Sequence, residues 1–453
     1  MEPTANLFTA LTKRADQILI KKLSNNDRDW AKPKLDADGL PVPGKRINNQ
    51  GGPYIPHEQR DCGFFPPLKL KSRKEAGDDI WECFVETRWP QITPNLFRSR
   101  LVNYTSKGRE THFTGIPKNA FSDLLPASFL VIGQVNNDHN VVYECLTIDS
   151  DSDEAELLAE VFDITPDFLI GIFTPEAIRR EERDRVFDFA DQVIQAWAAG
   201  IIDVFAQKNA TMPAPIELAR MARQKWLAEN GCEKLDPFNL DNPGDVLRQI
   251  SRGVEWELFK EFQRRERSVE LVRLVLGDEA GTYTAADTIR KLVDNFSEID
   301  ALMLSASQQR KSRAGYSYEY HIEAMLADGA IPFEKQVIIE ARKRSDFLIP
   351  SLEWVNQEQS FTSNGFILSA KTTLRERWKQ VEREKGTRRL FLTTVDENVA
   401  GNVIGDMASI GVQLVVPESL IEARETEYSG HVNVMSFKAF CESHVAPYLR
   451  LWS

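Results

Sequence analysis

Apolar residues recur along this chain in two rhythms, and the change of rhythm divides it. Up to about residue 170 the apolar runs are short: 53–56, 81–88, 97–104, 128–133 and 141–148, each closed by turn residues. Several short strands separated by turn signals predict a barrel or sandwich. A helix-like segment, Leu7 to Ile18, opens the chain. From 175 to 230 the period becomes helical. Pro175 can open a first helix, with Val186, Phe189, Ala190, Val193, Ile194 and Trp197 on one face. A second runs from Ile216 towards Trp226 and ends near Gly231. The polar, proline-bearing stretch 237–244 reads as a boundary. Helices are expected next at 255–262, 268–276 and 285–296. Strand and helix then alternate: strands at 337–340, 346–350, 366–371, 389–394 and 412–417, helices at 374–385 and near 399–409. That order predicts an α/β domain with a mixed central sheet. The expected domains are a β-rich unit at 1–170, a helical connector at 171–240 and the α/β domain at 241–453.

Composition narrows the class. At 453 residues, two or three domains are expected. Hydrophobic content of 42% and charged content of 27% are those of a globular protein. No apolar run approaches the ~18 residues of a membrane span, and the N-terminus lacks the basic-then-apolar order of a signal peptide. The five cysteines are scattered and never in C-x-x-C spacing. Zinc and a disulfide framework are therefore not expected, and a reducing cytoplasm is. The net charge of -12 weighs against nucleic acid as a partner. Charge acts on DNA only within about 8–10 Å, however, and residues 371–389 hold eight basic side chains against three acidic ones.

That basic stretch carries the candidate chemistry. Lys371 leaves the apolar run 366–368, and Asp346, twenty-five residues upstream, opens another. An aspartate, a strand and then a lysine is the layout of a metal-dependent nuclease. Cleaving a phosphodiester requires an activated water and stabilisation of charge on phosphate, both of which carboxylate-held Mg²⁺ supplies. Asp346 and Glu384 are the candidate ligands, Lys371 the group that orients or deprotonates water, and Glu319, on a helix expected to begin after Gly315, the residue completing the acidic cluster. Ordinary solvated charges at strand ends are the competing reading. Arg375, Glu376 and Arg377 can read adjacent G·C pairs, arginine towards guanine and carboxylate towards cytosine; otherwise they form a solvated helix surface. Arg98, Arg100 and Arg109 interleave with Phe97 and Tyr104, which suits either DNA or a charge-guarded strand edge. Asp149, Asp151, Asp153 and Glu160 mimic calcium-loop spacing, but Glu154 stands where the loop needs glycine. An N-cap with acidic first-turn residues explains that run.

The motifs together resemble a family. Arg310-Lys-Ser-Arg-Ala-Gly-x-Ser-x-Glu319, Ser345-Asp-Phe-Leu-x-Pro350, Ala370-Lys-Thr-Thr-x-x-x-Arg-Trp-x-Gln380 and Gly411-Val-x-Leu-Val-Val-Pro-x-Ser-Leu420 are similar in order and spacing to EcoRII-type restriction endonucleases, of the PD-(D/E)XK nuclease superfamily. The resemblance covers about 245–425. It implies that the carboxylate usually two residues before the lysine has moved to the following helix. Ser369 fills the vacated position and Glu384 replaces it, giving the active site Glu319, Asp346, Lys371 and Glu384. It also implies that the Arg-Glu-Arg triplet reads the outer pairs of a CC…GG site. Ser345 stands where a proline is usual, and the loop bearing Glu353 and Trp354 departs from the pattern, leaving the central base pair open. Weaker similarity around 23–27, Tyr54-Ile-Pro56 and Phe65-Pro66 implies a B3-like DNA-binding pseudobarrel. Lys21, Lys22, Asn25 and Asn26 would lie on one arm, with Arg98 and Arg100 near the other.

The expectation is a homodimeric, Mg²⁺-dependent type II restriction endonuclease, activated by a second DNA copy on the N-terminal domain and encoded with a DNA methyltransferase. The rivals are a non-cutting DNA-binding regulator and a nuclease directed at modified DNA.

Overall fold

A computed structural model describes residues 4–36, 40–48, 50–72, 79–108, 110–137, 140–336, 345–356, 364–374, 378–379 and 388–452. The chain forms two compact units. One comprises 1–180 with the short segments 397–402 and 422–429; the other comprises 181–396, 403–421 and 430–453.

The first unit is built on a nine-stranded sheet. Its strands are β1 (Gln17–Lys22), β4 (Tyr54–Ile55), β5 (Lys69–Ser72), β6 (Ile80–Trp89), β7 (Thr93–Tyr104), β8 (Thr111–Thr114), β9 (Phe129–Asn137), β10 (Asn140–Ile148) and β11 (Ile170–Phe173). A separate ribbon pairs β2 (Pro33–Leu35) with β3 (Pro41–Arg46). The order is β11-β1-β9-β10-β6-β7-β8-β4, with β5 on β6, and every pair is antiparallel except β10 with β6.

The opening helix ends at Arg14, and β1 takes over the last two residues expected in it, Gln17 and Ile18. Ile18, Leu19 and Ile20 are fully buried because the sheet is covered on both faces. Leu19 enters a core with Trp30, Phe64 and Phe113, while Ile18 and Ile20 enter another with Phe8, Leu11 and Phe129. A β-branched run between two cores outweighs the helical spacing that precedes it. β11 straddles the boundary expected at 170 and pairs with β1. After β10, Ser152 caps the helix Asp153–Val161, and the Asp149 carboxylate accepts the amides of Leu125 and Asp151. The acidic run is turn and cap chemistry, as its sequence indicated.

The second unit carries a six-stranded mixed sheet in the order β12 (Glu334–Lys335), β13 (Phe347–Ile349), β14 (Phe366–Ala370), β15 (Leu390–Thr393), β16 (Val412–Val416), β17 (Val434–Ser436). The first two junctions are antiparallel and the last three parallel. β13, β14 and β15 are buried along their whole length, which is why they read as unbroken apolar runs. Tyr318, Ile322 and Met325 share one core with Phe347, Phe366 and Phe440. The Phe366 ring meets Phe391 and Phe440 edge-on at 4.9 and 5.6 Å. Truncating it to alanine would cost about 3–5 kcal/mol.

The helices depart from the periodicity in instructive ways. Glu255–Leu276 is one helix, since Arg264, Arg265, Glu266 and Arg267 favour helix and do not interrupt it. Phe296–Asp328 is one 33-residue helix running through Gly315; an interior glycine costs only about 1 kcal/mol. A helix absent from the sequence reading spans Ile202–Asn209. Pro175–Ala198 and Pro215–Asn230 fall where expected, the latter ended by Gly231 at φ 65°. Ile194, assigned to the buried face of the former, is 44% exposed. The stretch 237–244 marks turns and not a boundary: Trp226, Leu235 and Val246, on either side of it, belong to one core. Of the helix expected at 374–385, Trp378 and Lys379 are helical and Leu374 precedes them; the rest, and the strand expected at 337–340, lie outside the described residues.

Candidate active site

The site grows from the pairing of β13 with β14. Asp346 immediately precedes β13, whose Phe347 stands opposite Leu368. The aspartate is thereby brought to the end of β14, where its Oδ2 accepts three hydrogen bonds. They come from the Ala370 amide at 2.8 Å, the Ser369 hydroxyl at 3.1 Å and Lys371 Nζ at 2.7 Å. Twenty-five residues of chain separate aspartate and lysine, and antiparallel pairing brings them into contact. The Lys371 amide donates to Thr393 O on β15 at 3.0 Å, so the lysine backbone is held by the sheet on its other side. Both side chains keep a fraction of solvent exposure, 15% and 18%, which leaves an approach for substrate.

Glu319 comes to the same place from the long helix Phe296–Asp328. Burial and the neighbouring Asp346 charge raise its pKa above the ordinary carboxylate value, while Lys371, a hydrogen bond with Gln336 and Lys335 partly offset the rise. A carboxyl that feels both members of the ion pair belongs to their cluster. Two carboxylates and an ammonium thus converge from a helix, a strand start and a strand end. Ser369, the position vacated in the family resemblance, is buried and donates to Asp346. Ser345, standing where proline is usual, is fully buried.

Glu384, Arg375, Glu376, Arg377 and Arg109 lie outside the described residues. Among the described residues, no group of three His, Cys, Asp or Glu side chains could hold a metal ion. The donors that are described suit a hard cation, being carboxylate oxygens. All three hydrogen bonds to Asp346 fall on Oδ2, leaving Oδ1 open among the described residues.

Sequence reasoning missed the support behind Glu319. Ser317 and His321, four residues apart on the same helix, both bind the buried carboxylate of Glu255; His321 Nε2 lies 2.5 Å from it. Burial holds the His321 pKa below its ordinary value against the pull of Glu255. Arg223 donates to Tyr320 O at 3.2 Å, and the Tyr318 and Thr393 hydroxyls meet at 2.9 Å, tying this helix to β15. The i, i+4 spacing of Ser317 and His321 was the available signal, legible once the helix is taken as continuous. Near the divergent loop, the short helix Leu352–Asn356 sits directly against Gly365. A Cβ there would lie 2.5 Å from the Trp354 backbone, so only glycine admits this approach.

In the first unit the expected arm residues are largely engaged. Lys21 is buried and pairs with Asp27 at 3.1 Å. Lys22, also buried, pairs with Glu397 at 2.8 Å and donates to Pro166 O at 2.9 Å. Asn25 donates its amide to Arg424 O at 2.7 Å and its side chain to Thr426 O. Asn26 is exposed. On the β6–β7 hairpin, Arg98 is exposed and stacks 4.2 Å over the Phe84 ring, whereas Arg100 pairs with Glu82 at 2.5 Å.

Residues 280–441 match the family model described as EcoRII C terminal. That segment is similar to the EcoRII C-terminal domain. The domain holds Glu319, Asp346 and Lys371, so the cluster lies wholly inside it. The chain is 38% identical over 136 residues to the type II restriction enzyme EcoRII of Escherichia coli, a match spanning 30% of this chain and 34% of that enzyme. It thus covers about a third of that relative's length. To the type II restriction enzyme SsoII of Shigella sonnei it is 27% identical over 223 residues, 47% of this chain and 71% of SsoII. Among solved structures, a metal-depleted Ecl18kI complex with uncleaved, modified DNA aligns at TM-score 0.45 and 22% identity, covering 59% of this chain and 86% of that one. The B3 domain of UbaLAI restriction endonuclease with cognate DNA aligns at TM-score 0.24 and 10% identity, covering 38% and 98%.

Proposed function

We propose that this chain is a type II restriction endonuclease that makes Mg²⁺-dependent double-strand breaks at a short palindromic CC…GG-type site. The observation that carries the reading is the 2.7 Å pair between Asp346 and Lys371, formed across β13 and β14 with Glu319 beside it. A structural ion pair has no need of a second, half-buried carboxyl, whose cost is justified by chemistry at that point. Asp346 and Glu384 hold the metal, which when bound supplies charge stabilisation at phosphate and lowers the pKa of water. Lys371 orients the attacking water or takes its proton, and Glu319 completes the acidic cluster. Arg375, Glu376 and Arg377 read the outer G·C pairs.

The first unit binds a second, effector copy of the DNA through the exposed Asn26 and Arg98, with Lys21, Lys22, Asn25 and Arg100 reaching it only when released by their own partners. The protein works as a homodimer, matching a two-fold DNA site, in the cytoplasm and alongside a methyltransferase that protects the same site. Among the described residues no helix is long and apolar enough to cross a membrane.

The test is digestion of a plasmid carrying the CCNGG variants with Mg²⁺, with and without a short cognate duplex, beside Asp346→Ala. Discrete fragments that vanish in the variant are expected, and the duplex is expected to stimulate cutting. A specific gel shift without cutting would instead make the chain a DNA-binding regulator.

A further inference from the structure

Glu319 and Glu323 stand one turn apart on the helix Phe296–Asp328, at i and i+4, and so share one of its faces. Two successive residues from the end of β12 reach that face. Lys335 Nζ pairs with Glu323 Oε2 at 2.5 Å and lies 4.3 Å over the Tyr320 ring. The Gln336 side chain hydrogen-bonds Glu319. Neighbouring residues of a regular strand point to opposite sides, so a straight continuation of β12 would deliver only one of them. The chain turns instead: Gln336 has φ 56°, in the left-handed region that residues with a side chain seldom enter. Its amide nevertheless donates to Asp346 O at 3.1 Å, one step beyond the pairing of Lys335 with Phe347. One residue thus holds Asp346 by its backbone and Glu319 by its side chain.

We propose that Gln336 is a positioning residue for the reaction: it sets the Glu319 carboxyl beside Asp346 and Lys371, and the left-handed turn serves to bring its side chain there. That role presupposes the nuclease reading. Strained backbone of this kind persists only where its surroundings enforce it, and it concentrates at functional sites. Here Lys335 anchors the chain to the helix through Glu323, and the ladder to β13 anchors it to the sheet. Glycine would meet the backbone need at 336 at least cost, so a glutamine there is accounted for by what its side chain holds. The chemistry of the donor fits the task. Glu319 and Asp346 repel each other when both are charged, and the second carboxyl needs a partner to stay in place. A lysine or arginine at 336 would pair with Glu319 as a full charge and compete with a cation for it. A carboxamide donates a hydrogen bond and carries no charge, so the acidic cluster keeps its own charge for a ligand.

The experiment compares wild type with Gln336→Met and Gln336→Gly in the full chain. It measures single-turnover cleavage of duplexes carrying the CCNGG variants with Mg²⁺ and enzyme in excess, duplex affinity by gel shift without metal, and Tm. Methionine keeps the length of the side chain and removes its amide; glycine removes the side chain and relaxes the turn. Both variants should cleave about 10–100-fold more slowly, the scale on which outer partners of such sites act. Duplex affinity should be unchanged, and the glycine variant should melt no lower than wild type, because the left-handed turn suits it better. Wild-type cleavage by either variant, or a glycine variant whose Tm and duplex affinity fall along with its rate, overturns the proposal and leaves the nuclease reading standing. A wild type that binds its duplex and cuts nothing overturns the nuclease reading, and the role of Gln336 with it.

Discussion

The two sheets treat their charged residues in opposite ways. In the nine-stranded sheet, Lys21 and Lys22 sit on a strand buried on both faces, and each is matched by an acidic side chain of the same unit. In the six-stranded sheet, Asp346 and Lys371 sit where strands begin and end, and they meet beside a carboxyl whose ionisation burial opposes. A buried pair inside a strand is internally settled. A pair at a strand end, open on one side and next to a third titratable group, keeps unused capacity for a ligand. The depth of burial and the third titratable group beside the pair, more than the presence of charge, separate the two arrangements.

The largest expected effect comes from breaking the second arrangement. Asp346→Ala or Lys371→Ala should lower the cleavage rate by about 10³-fold or more, with cognate DNA still bound in gel shifts; wild-type cutting by either variant would refute the assignment. Next is Arg377→Glu, expected to remove about 1–3 kcal/mol of discrimination between cognate and scrambled duplexes. Titrations of both duplexes with equal preference before and after would dismiss its reading role.

The first arrangement can be broken at Glu397. Glu397→Gln removes the charge facing Lys22 and should raise DNA affinity of the first unit several-fold, with a steeper salt dependence, whereas Arg98→Ala should lower it. Salt-series binding curves that do not move in either variant would take these residues out of DNA contact. The smallest effect is on stability. Because the Glu319 pKa is raised on folding, its contribution to stability is present below the unfolded carboxylate pKa and is lost as pH rises through the folded one. Glu319→Gln should therefore raise Tm by a few degrees at pH 8 and leave it unchanged at pH 4, while abolishing cleavage. An equal Tm difference at both pH values would mean that Glu319 is not ionising against burial.

Much of this was legible in the sequence. The strands of the second sheet stood out because each is an apolar run bounded by polar residues, and Asp346 and Lys371 were found from their places beside two such runs. Lys21 and Lys22 were legible as basic but not as buried, because their partners Asp27 and Glu397 lie 6 and 375 residues away. β1 was hidden by helical spacing that ran on into it. Gly315 suggested a helix start, since its cost is visible in sequence and the packing of Tyr318, Ile322 and Met325 that outweighs it is not. The helix Ala285–Asp294 was legible as a helix, but the exposure of Ile289 and Val293 on it was not, since nothing in the sequence says which face turns inwards.

The helix Phe296–Asp328 runs without a break from Phe296 to Glu319 of the carboxyl cluster. From Phe296 to Glu319 is 23 residues, which at 1.5 Å each is a rod of about 35 Å. Such a rod acts as a ruler: an inserted residue would lengthen it by about 1.5 Å and turn one end about 100° against the other. Its length in residues therefore sets a gauge between its first turn and the carboxyl cluster, one that substitutions leave alone and insertions or deletions do not.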